Sequence, residues 1–308
     1  MNIIPIAFAF DSNLINPACI CLSSLLMNAK KDTFYDIFII HSENENLDRQ
    51  KLDKLASFYN NFRITYRTIG SIFDDAFEIR GITTPAYYRL LIPEIIPEYE
   101  KIIYSDVDVI FQSDLSEIYL KTDLDGYYFG GVDSLSDLNP KLVEYYQKLG
   151  ISAKGIIYSG NLIFNSKAIL EDGIINQFLE LSKNSYLFQD MDVINIACRG
   201  KIKYLSLAFC ITTYLSEFKA KCPEYLSRHW SETEIINAFS NGIIHYNGQK
   251  PWKGVCINFD IWWEYYRKSP FYDEHFYFDF FNDRLNELDN LPLWKRIKIL
   301  LRYFIKRK

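Results

Sequence analysis

Two aspartates one residue apart, Asp106 and Asp108, follow directly on the apolar run Ile102-Ile103-Tyr104. On an extended backbone residues i and i+2 project to the same side, so both carboxylates can face one cation. Paired hard oxygen donors suit Mg²⁺ or Mn²⁺, and either ion can in turn hold a diphosphate. Far along the chain, Gly242–Lys253 reads GIIHYNGQKPWK, in which a short strand delivers His245, followed by Tyr246, Gly248, Lys250 and Trp252. One neutral imidazole added to two carboxylates makes a credible Mn²⁺ set, because imidazole nitrogen tolerates Mn²⁺ better than Mg²⁺. Gly248 lets backbone approach a phosphate, and Lys250 would neutralise it. Bland alternatives stand beside these readings: an Asp-x-Asp also arises at capped loops, and a lone histidine on an apolar strand is commonly a satisfied core residue.

Such side chains need a scaffold that brings positions 106 and 245 together. Ile3–Phe10 reads as a first buried strand ending at Asp11-Ser12-Asn13, after which Asn16-Pro17 offers an N-cap and N1 proline for a helix through about Ala29. Phe34–Ile40 is a second strand, Leu47–Asn60 an amphipathic helix and Phe62–Ile69 a third strand. This βαβαβ alternation predicts a parallel sheet, with the Asp106 strand ending at the edge where open α/β sheets bind ligands. In Thr83–Pro97, Pro85 can open a helix carrying Tyr87, Tyr88 and Arg89; Arg89 is a candidate anion contact or, equally, a solvated helix arginine. Beyond Asp108 come apolar segments at Tyr127–Val132, Gly160–Phe164, Lys203–Leu207 and Gly242–Tyr246, with helices expected at Pro140–Leu149, Lys167–Asn184 and Gln189–Arg199. No repeat or Gly/Ser linker divides the chain.

With 308 residues, 49% of them hydrophobic, the chain can bury a full core as one large α/β domain or two smaller ones. The 23 Tyr and 23 Phe supply either surfaces for ring-shaped ligands or simply an aromatic core. The six cysteines form no CxxC pair and have no histidine at zinc spacing, so they read as reduced, buried and cytosolic. Met1–Phe10 lacks a basic flank and a cleavage site, and no apolar run is long enough to span a bilayer, so the expectation is neither secreted nor integral. Seven of the 34 basic residues and none of the 39 acidic ones fall in Leu291–Lys308. An acidic body with a basic tail argues against nucleic acid and towards one localised anionic contact. From Trp294, the apolar Ile297, Leu301 and Phe304 fall at helical spacing, with Lys295, Lys298, Arg302 and Lys306 on other faces. A basic amphipathic helix of this kind lies in the headgroup region of an anionic leaflet, or docks on the acidic body itself.

Taken in order, Phe10-Asp11-Ser12-Asn13, Thr83-Thr84 with Arg89, Ser105–Asp108, Gly131–Asp133, Ser159-Gly160, Gln189–Asn195 and His245–Trp252 form a set that resembles glycosyltransferase family 8. That family includes bacterial lipopolysaccharide galactosyl- and glucosyltransferases and glycogenin. The resemblance covers roughly residues 3–255 and implies a GT-A fold: a Rossmann-like, mainly parallel central sheet flanked by helices. With it come three expected units, a glycosyltransferase domain at 1–255, an aromatic-rich helical C-terminal extension at 256–290 and the basic amphipathic tail at 291–308. It further implies a retaining transfer of glucose or galactose from UDP-glucose or UDP-galactose to an oligosaccharide or lipid-linked glycan, such as lipopolysaccharide core or a capsular precursor. The enzyme would then be cytoplasmic and peripheral on the inner face of the cytoplasmic membrane. Carried over position by position, Asp106, Asp108 and His245 hold Mn²⁺, with Mg²⁺ as the other candidate. Asp11 and Asn13 contact uridine, Gly248 and Lys250 contact the diphosphate, Val107 joins the donor-binding set, and Arg89, Asp133 and Asp190 meet the donor sugar. Asp190, Arg89 and Lys250 form the expected catalytic set.

Two departures from the family pattern bear on the sugar end. Tyr158-Ser159-Gly160 places an aromatic where a small amide is common, and Asp190-Met191-Asp192 places a methionine where glutamine is common. Met191 can neither attack nor stabilise charge, which favours a front-face reaction without a covalent enzyme intermediate. Two competing readings remain on sequence alone. Asp106-Val107-Asp108 also matches the nucleophile and acid of a haloacid-dehalogenase-like phosphatase, although Ile110 stands where Thr or Val is expected and His245–Trp252 goes unexplained. The other is a non-catalytic, membrane-associated nucleotide-sugar-binding protein.

Overall fold

The computed structural model describes residues 1–73, 76 and 84–305. Thr83 and Lys306, named above, lie outside the described residues. Among the described residues there are ten strands: β1 (Asn2–Ala9), β2 (Thr33–Ser42), β3 (Phe62–Ile69), β4 (Lys101–Ser105), β5 (Val109–Phe111), β6 (Phe129–Gly131), β7 (Asn161–Asn165), β8 (Ile202–Tyr204), β9 (Ile211–Thr212) and β10 (Ile243–His245). Seven make one sheet in the order β3-β2-β1-β4-β7-β6-β8, and three make a second in the order β5-β10-β9. The first four strands of the large sheet are mutually parallel; β7 runs antiparallel to β4 and β6, and β8 is parallel to β6.

The near-continuous apolar runs of β1, β2 and β4 follow from burial on both faces. Ile4, Ile6 and Phe8 of β1, Tyr35, Ile37 and Ile39 of β2 and Ile103 of β4 join one core, with Leu22 and Leu25 of the Ile15–Met27 helix. The alternate residues Ala7, Ala9, Phe38, Ile40, Ile102 and Tyr104 join the opposite core, with Tyr87, Phe178, Val193 and Ile194. Trp262, Trp263 and Tyr266 of the Phe259–Lys268 helix are buried in the first core, so most of this aromatic stretch serves packing.

Three expected helices differ from the sequence reading. The chain after β1 first makes a 3-10 turn, Ser12–Leu14, capped by Asp11, and the helix starts at Ile15 rather than at an Asn16 cap. Pro17 therefore sits in the first turn, where its missing N–H has no intrahelical partner to lose. The expected Leu47–Asn60 helix is Arg49–Asp53 followed by a 3-10 turn, Lys54–Ser57. The expected Lys167–Asn184 helix divides into Ser166–Glu171 and Ile174–Ser182 around Gly173, whose φ of 66° no helix interior accepts. At the C-terminus, Glu274–Asp289 and Leu293–Ile305 are helical. Among the described residues no helix is long and apolar enough to cross a membrane.

Candidate metal and donor site

The two sheets meet at Asp106-Val107-Asp108. The Asp106 N–H donates to the Gly160 carbonyl at 2.8 Å and continues the β4–β7 ladder. The Tyr246 N–H donates to the Asp108 carbonyl at 2.9 Å and continues the β5–β10 ladder. Between them Val107 is buried, so only its backbone could meet a ligand. His245 ends β10 and is 5% exposed. Its Nε2 stands 3.1 Å from Asp108 Oδ1 and 3.6 Å from Asp106 Oδ2. One ligand atom from each of the three residues lies within 4.8 Å of the others. Gly160 makes this approach possible, since a Cβ there would lie 2.2 Å from His245 Cε1 and 2.7 Å from Asp106 Oδ2.

Asp106 is fixed from behind. Its Oδ1 accepts from the Tyr104 hydroxyl at 2.7 Å and pairs with Arg89 Nη2 at 2.9 Å. Arg89 is 5% exposed and lies over the Tyr104 ring, its guanidinium carbon 4.4 Å from the ring centre. It also donates to the carbonyls of Ser159 (2.7 Å) and Ala86 (2.8 Å), and its Nε pairs with Asp190 Oδ2 at 3.2 Å. Arg89 is thus a buried clamp between two carboxylates rather than a solvated cation. Burial would lower its pKa, but Asp106 and Asp190 hold it above the ordinary value. Burial pushes the Asp190 carboxyl up to about 6 against the pull of Arg89.

Lys250 donates to Asp108 Oδ2 and, at 2.6 Å, to the Tyr246 carbonyl. Burial disfavours charge on Asp108, yet Lys250 and His245 hold its carboxyl below the usual carboxylate range. For His245 burial acts downward, and Asp108 overrides it to lift the imidazole to about 10. The His245 imidazole and the Lys250 side chain therefore both lie against Asp108, whose carboxylate favours a proton on the imidazole. Two hard oxygens and one imidazole nitrogen at this spacing fit Mn²⁺ or Mg²⁺, with the ion displacing the His245 proton.

The other expected residues share this edge of the large sheet. β1 and β4 are parallel neighbours, so Asp11 and Asp106 emerge together. Asp11 Oδ1 accepts from the Asn13 N–H at 3.0 Å, leaving the Asn13 side chain exposed. Asp133 follows β6, is half-buried with its carboxyl raised by that burial, and accepts from the Leu135 N–H. Gly248 is exposed, with its N–H 3.4 Å from Thr213 Oγ1. Asp192 is fully buried and accepts from Tyr145 (2.6 Å), Tyr146 (3.0 Å) and the Phe188 N–H (2.9 Å). Met191 packs with Tyr146, Ala153 and Ile156, and the partly buried Tyr158 lies against the same cluster.

Sequence reasoning missed three participants. Tyr104 carried a usable signal, being two residues before Asp106 on the same side of an extended strand. Gly160 was noted without its role as the close-approach point. Cys210, whose Sγ lies 3.8 Å from His245 Nδ1, carried no sequence signal.

A mainly parallel sheet with helices on both faces, with a carboxylate pair just beyond β4 and a histidine brought to it by the small sheet, is the GT-A fold, shared with the galactosyltransferase LgtC. The chain belongs to glycosyl transferase family 8, whose sequence profile matches residues 5–256. A putative glycosyltransferase of Haemophilus influenzae is 28% identical over 219 residues, 69% of this chain and 63% of that protein. Galactosyltransferase LgtC in complex with donor and acceptor sugar analogues superposes with a TM-score of 0.70 at 22% identity, over 88% of this chain and 98% of that one. The bifunctional glycosyltransferase WbbM reaches 0.71 at 21% identity over 90% of this chain. This chain spans about half of WbbM and under two thirds of the Haemophilus protein.

Proposed function

We propose that this glycosyltransferase moves glucose or galactose from its UDP conjugate to a glycan hydroxyl with retention of anomeric configuration, using Mn²⁺ held by Asp106, Asp108 and His245. The observation that carries the reading is the convergence of those three donor groups with Lys250 at the carboxyl edge of the sheet. A divalent cation bound there would take up charge developing on the departing UDP. Lys250, already poised beside Asp108, would add its own charge to the diphosphate. Asp11 and Asn13 lie on the first loop of the same edge and are assigned to uridine. Asp133, Asp190 and the backbone of Val107 are assigned to the sugar side.

A reaction on one face of the sugar, without a covalent intermediate, fits the carboxylates best. Asp192 is committed to two tyrosine hydroxyls and a backbone amide, and Asp190 is paired with Arg89. Arg89 acts as a positioning group for Asp106 and Asp190, since each of its three nitrogens already faces a protein acceptor. The phosphatase reading requires a free nucleophilic Asp106, which Arg89 and Tyr104 occupy.

The test is UDP release from UDP-glucose and UDP-galactose with Mn²⁺ against EDTA. Release that needs Mn²⁺ and is lost in Asp108→Asn supports the proposal; no release with either donor and any divalent ion, or an unaffected D108N, overturns it. The exposed Trp294, Ile297, Leu300 and Leu301 of the Leu293–Ile305 helix, interleaved with Lys295, Arg296, Lys298 and Arg302, support contact with an anionic leaflet and hence a lipid-linked acceptor. Equal binding of the full chain and a Leu291 truncation to anionic vesicles would remove the tail from that account.

A further inference from the structure

We propose that Cys210 is a positioning residue for His245: its sulfur accepts the Nδ1–H, and this fixes Nε2 as the nitrogen turned to the cation. The inference rests on the metal reading above.

A metal-ligating imidazole needs its second nitrogen held, because that hydrogen bond selects the tautomer and fixes the ring plane. The usual partner is a carboxylate or a backbone carbonyl. Here, among the described residues, the hydrogen-bond partner at Nδ1 is the Cys210 sulfur at 3.8 Å, within reach for so large an acceptor. Both side chains are sealed from solvent, His245 at 5% and Cys210 at 0% exposure, so little water can share the task. Gly160 closes another side of the ring, since a Cβ there would lie 2.8 Å from Nδ1.

Backbone pairing sets the two residues in place. Cys210 immediately precedes β9, and β9 runs parallel to β10 with His245 opposite Thr212. The thiol is therefore delivered by a paired strand and not by a free loop. Nε2 is left facing the two aspartates, 3.1 and 3.6 Å from their nearest oxygens. Sulfur is a weaker acceptor than carboxylate, so its removal belongs at the low end of the 10- to 100-fold losses seen when such a partner is removed.

The experiment measures Mn²⁺ affinity by electron paramagnetic resonance of the free ion, on the full chain without nucleotide. Melting temperature in EDTA serves as the folding control. Cys210→Val removes the acceptor while keeping the volume filled; Cys210→Ala does so without added bulk should valine not fit. Cys210→Ser keeps an acceptor, and Asp108→Asn tests the metal site itself. The expected result is about tenfold weaker binding in C210V and C210A, most of it restored in C210S, with melting in EDTA close to wild type. Wild-type affinity in both C210V and C210A, while D108N loses binding, overturns the role of Cys210 and leaves the metal site standing. Undiminished binding in D108N, or none in the wild type, overturns the metal reading instead.

Discussion

Replacing Arg89 by methionine removes the cation that the buried Asp190 and the partly buried Asp106 share. The side chain is 5% exposed, and its donors reach Asp106, Asp190, and the carbonyls of Ala86 and Ser159. Methionine fills much of the same space, so the cost is dominated by charge left uncompensated and not by a cavity. Deleting one partner of a buried ion pair costs about 3–5 kcal/mol, against a total stability of about 5–15 kcal/mol. With a urea dependence of about 3 kcal/mol/M, the unfolding midpoint should fall by about 1 M or more. The measurement is made in EDTA, so that loss of metal at Asp106 does not add to the result. Adding Asp190→Asn to R89M should recover part of the loss, because one of the two stranded charges is then gone; a double-mutant cycle reads that coupling directly. Arg89→Lys keeps the charge but cannot reach four acceptors with one ammonium, so it should fall between wild type and R89M. A midpoint for R89M indistinguishable from wild type, or no coupling to D190N, would show that the clamp does not bear on stability and refute the reasoning.

Three further outcomes follow from the same geometry. Because Asp108 holds the His245 imidazole pKa above its ordinary value, a cation must displace one proton near neutral pH, and Mn²⁺ affinity should rise with pH there; calorimetry in buffers of different ionisation enthalpy counts that proton, and His245→Gln should abolish its release. The Asp190 carboxyl titrates at about 6 when folded against an ordinary 3.8, so the folded state holds a proton that the unfolded chain has released, and the stability it contributes is present below pH 3.8 and lost as pH rises through about 6. Urea midpoints of wild type minus D190N, measured in EDTA from pH 4 to 7, should decline over that interval; a flat difference contradicts the assignment. Gly160→Ala places a methyl 2.2 Å from His245 Cε1, and should weaken Mn²⁺ binding at least tenfold by displacing the imidazole, which a free-ion titration would detect.

The parallel half of the sheet was legible because β1 and β2 are covered on both faces, so their sequences are apolar almost without interruption, and β3 matched its expected bounds of Phe62–Ile69. Asp106, Asp108 and His245 were legible because a strand ending in a polar pair is a local pattern. The second sheet was legible only at β10, read from Gly242–Tyr246 as the strand that delivers His245; β5 and β9 have three and two residues, too few for any periodicity to register. Leu47–Asn60 looked helical because leucines recur, but only Leu47, Leu52 and Leu55 are buried there, too small an anchor to extend the helix past Asp53. The split at Gly173 had a visible cause in the glycine itself. Arg89 was undecided on sequence because what distinguishes a buried clamp from a solvated arginine is its partners, Asp106 and Asp190, and nothing local names them. Cys210 depends likewise on a neighbour 35 residues away.

Asp106 hangs from the large sheet through Gly160, while Asp108 and His245 belong to the small one through the β5–β10 pairing. The ligands of any cation held here are therefore divided between two separately hydrogen-bonded plates, joined at this point by the single residue Val107. Side-chain packing holds the plates together, because both contribute to one apolar core in which Phe8 of β1 meets Phe111 of β5 edge-on. The ion would act as a rivet through the seam, adding a link between backbone networks that Val107 otherwise joins alone at this point.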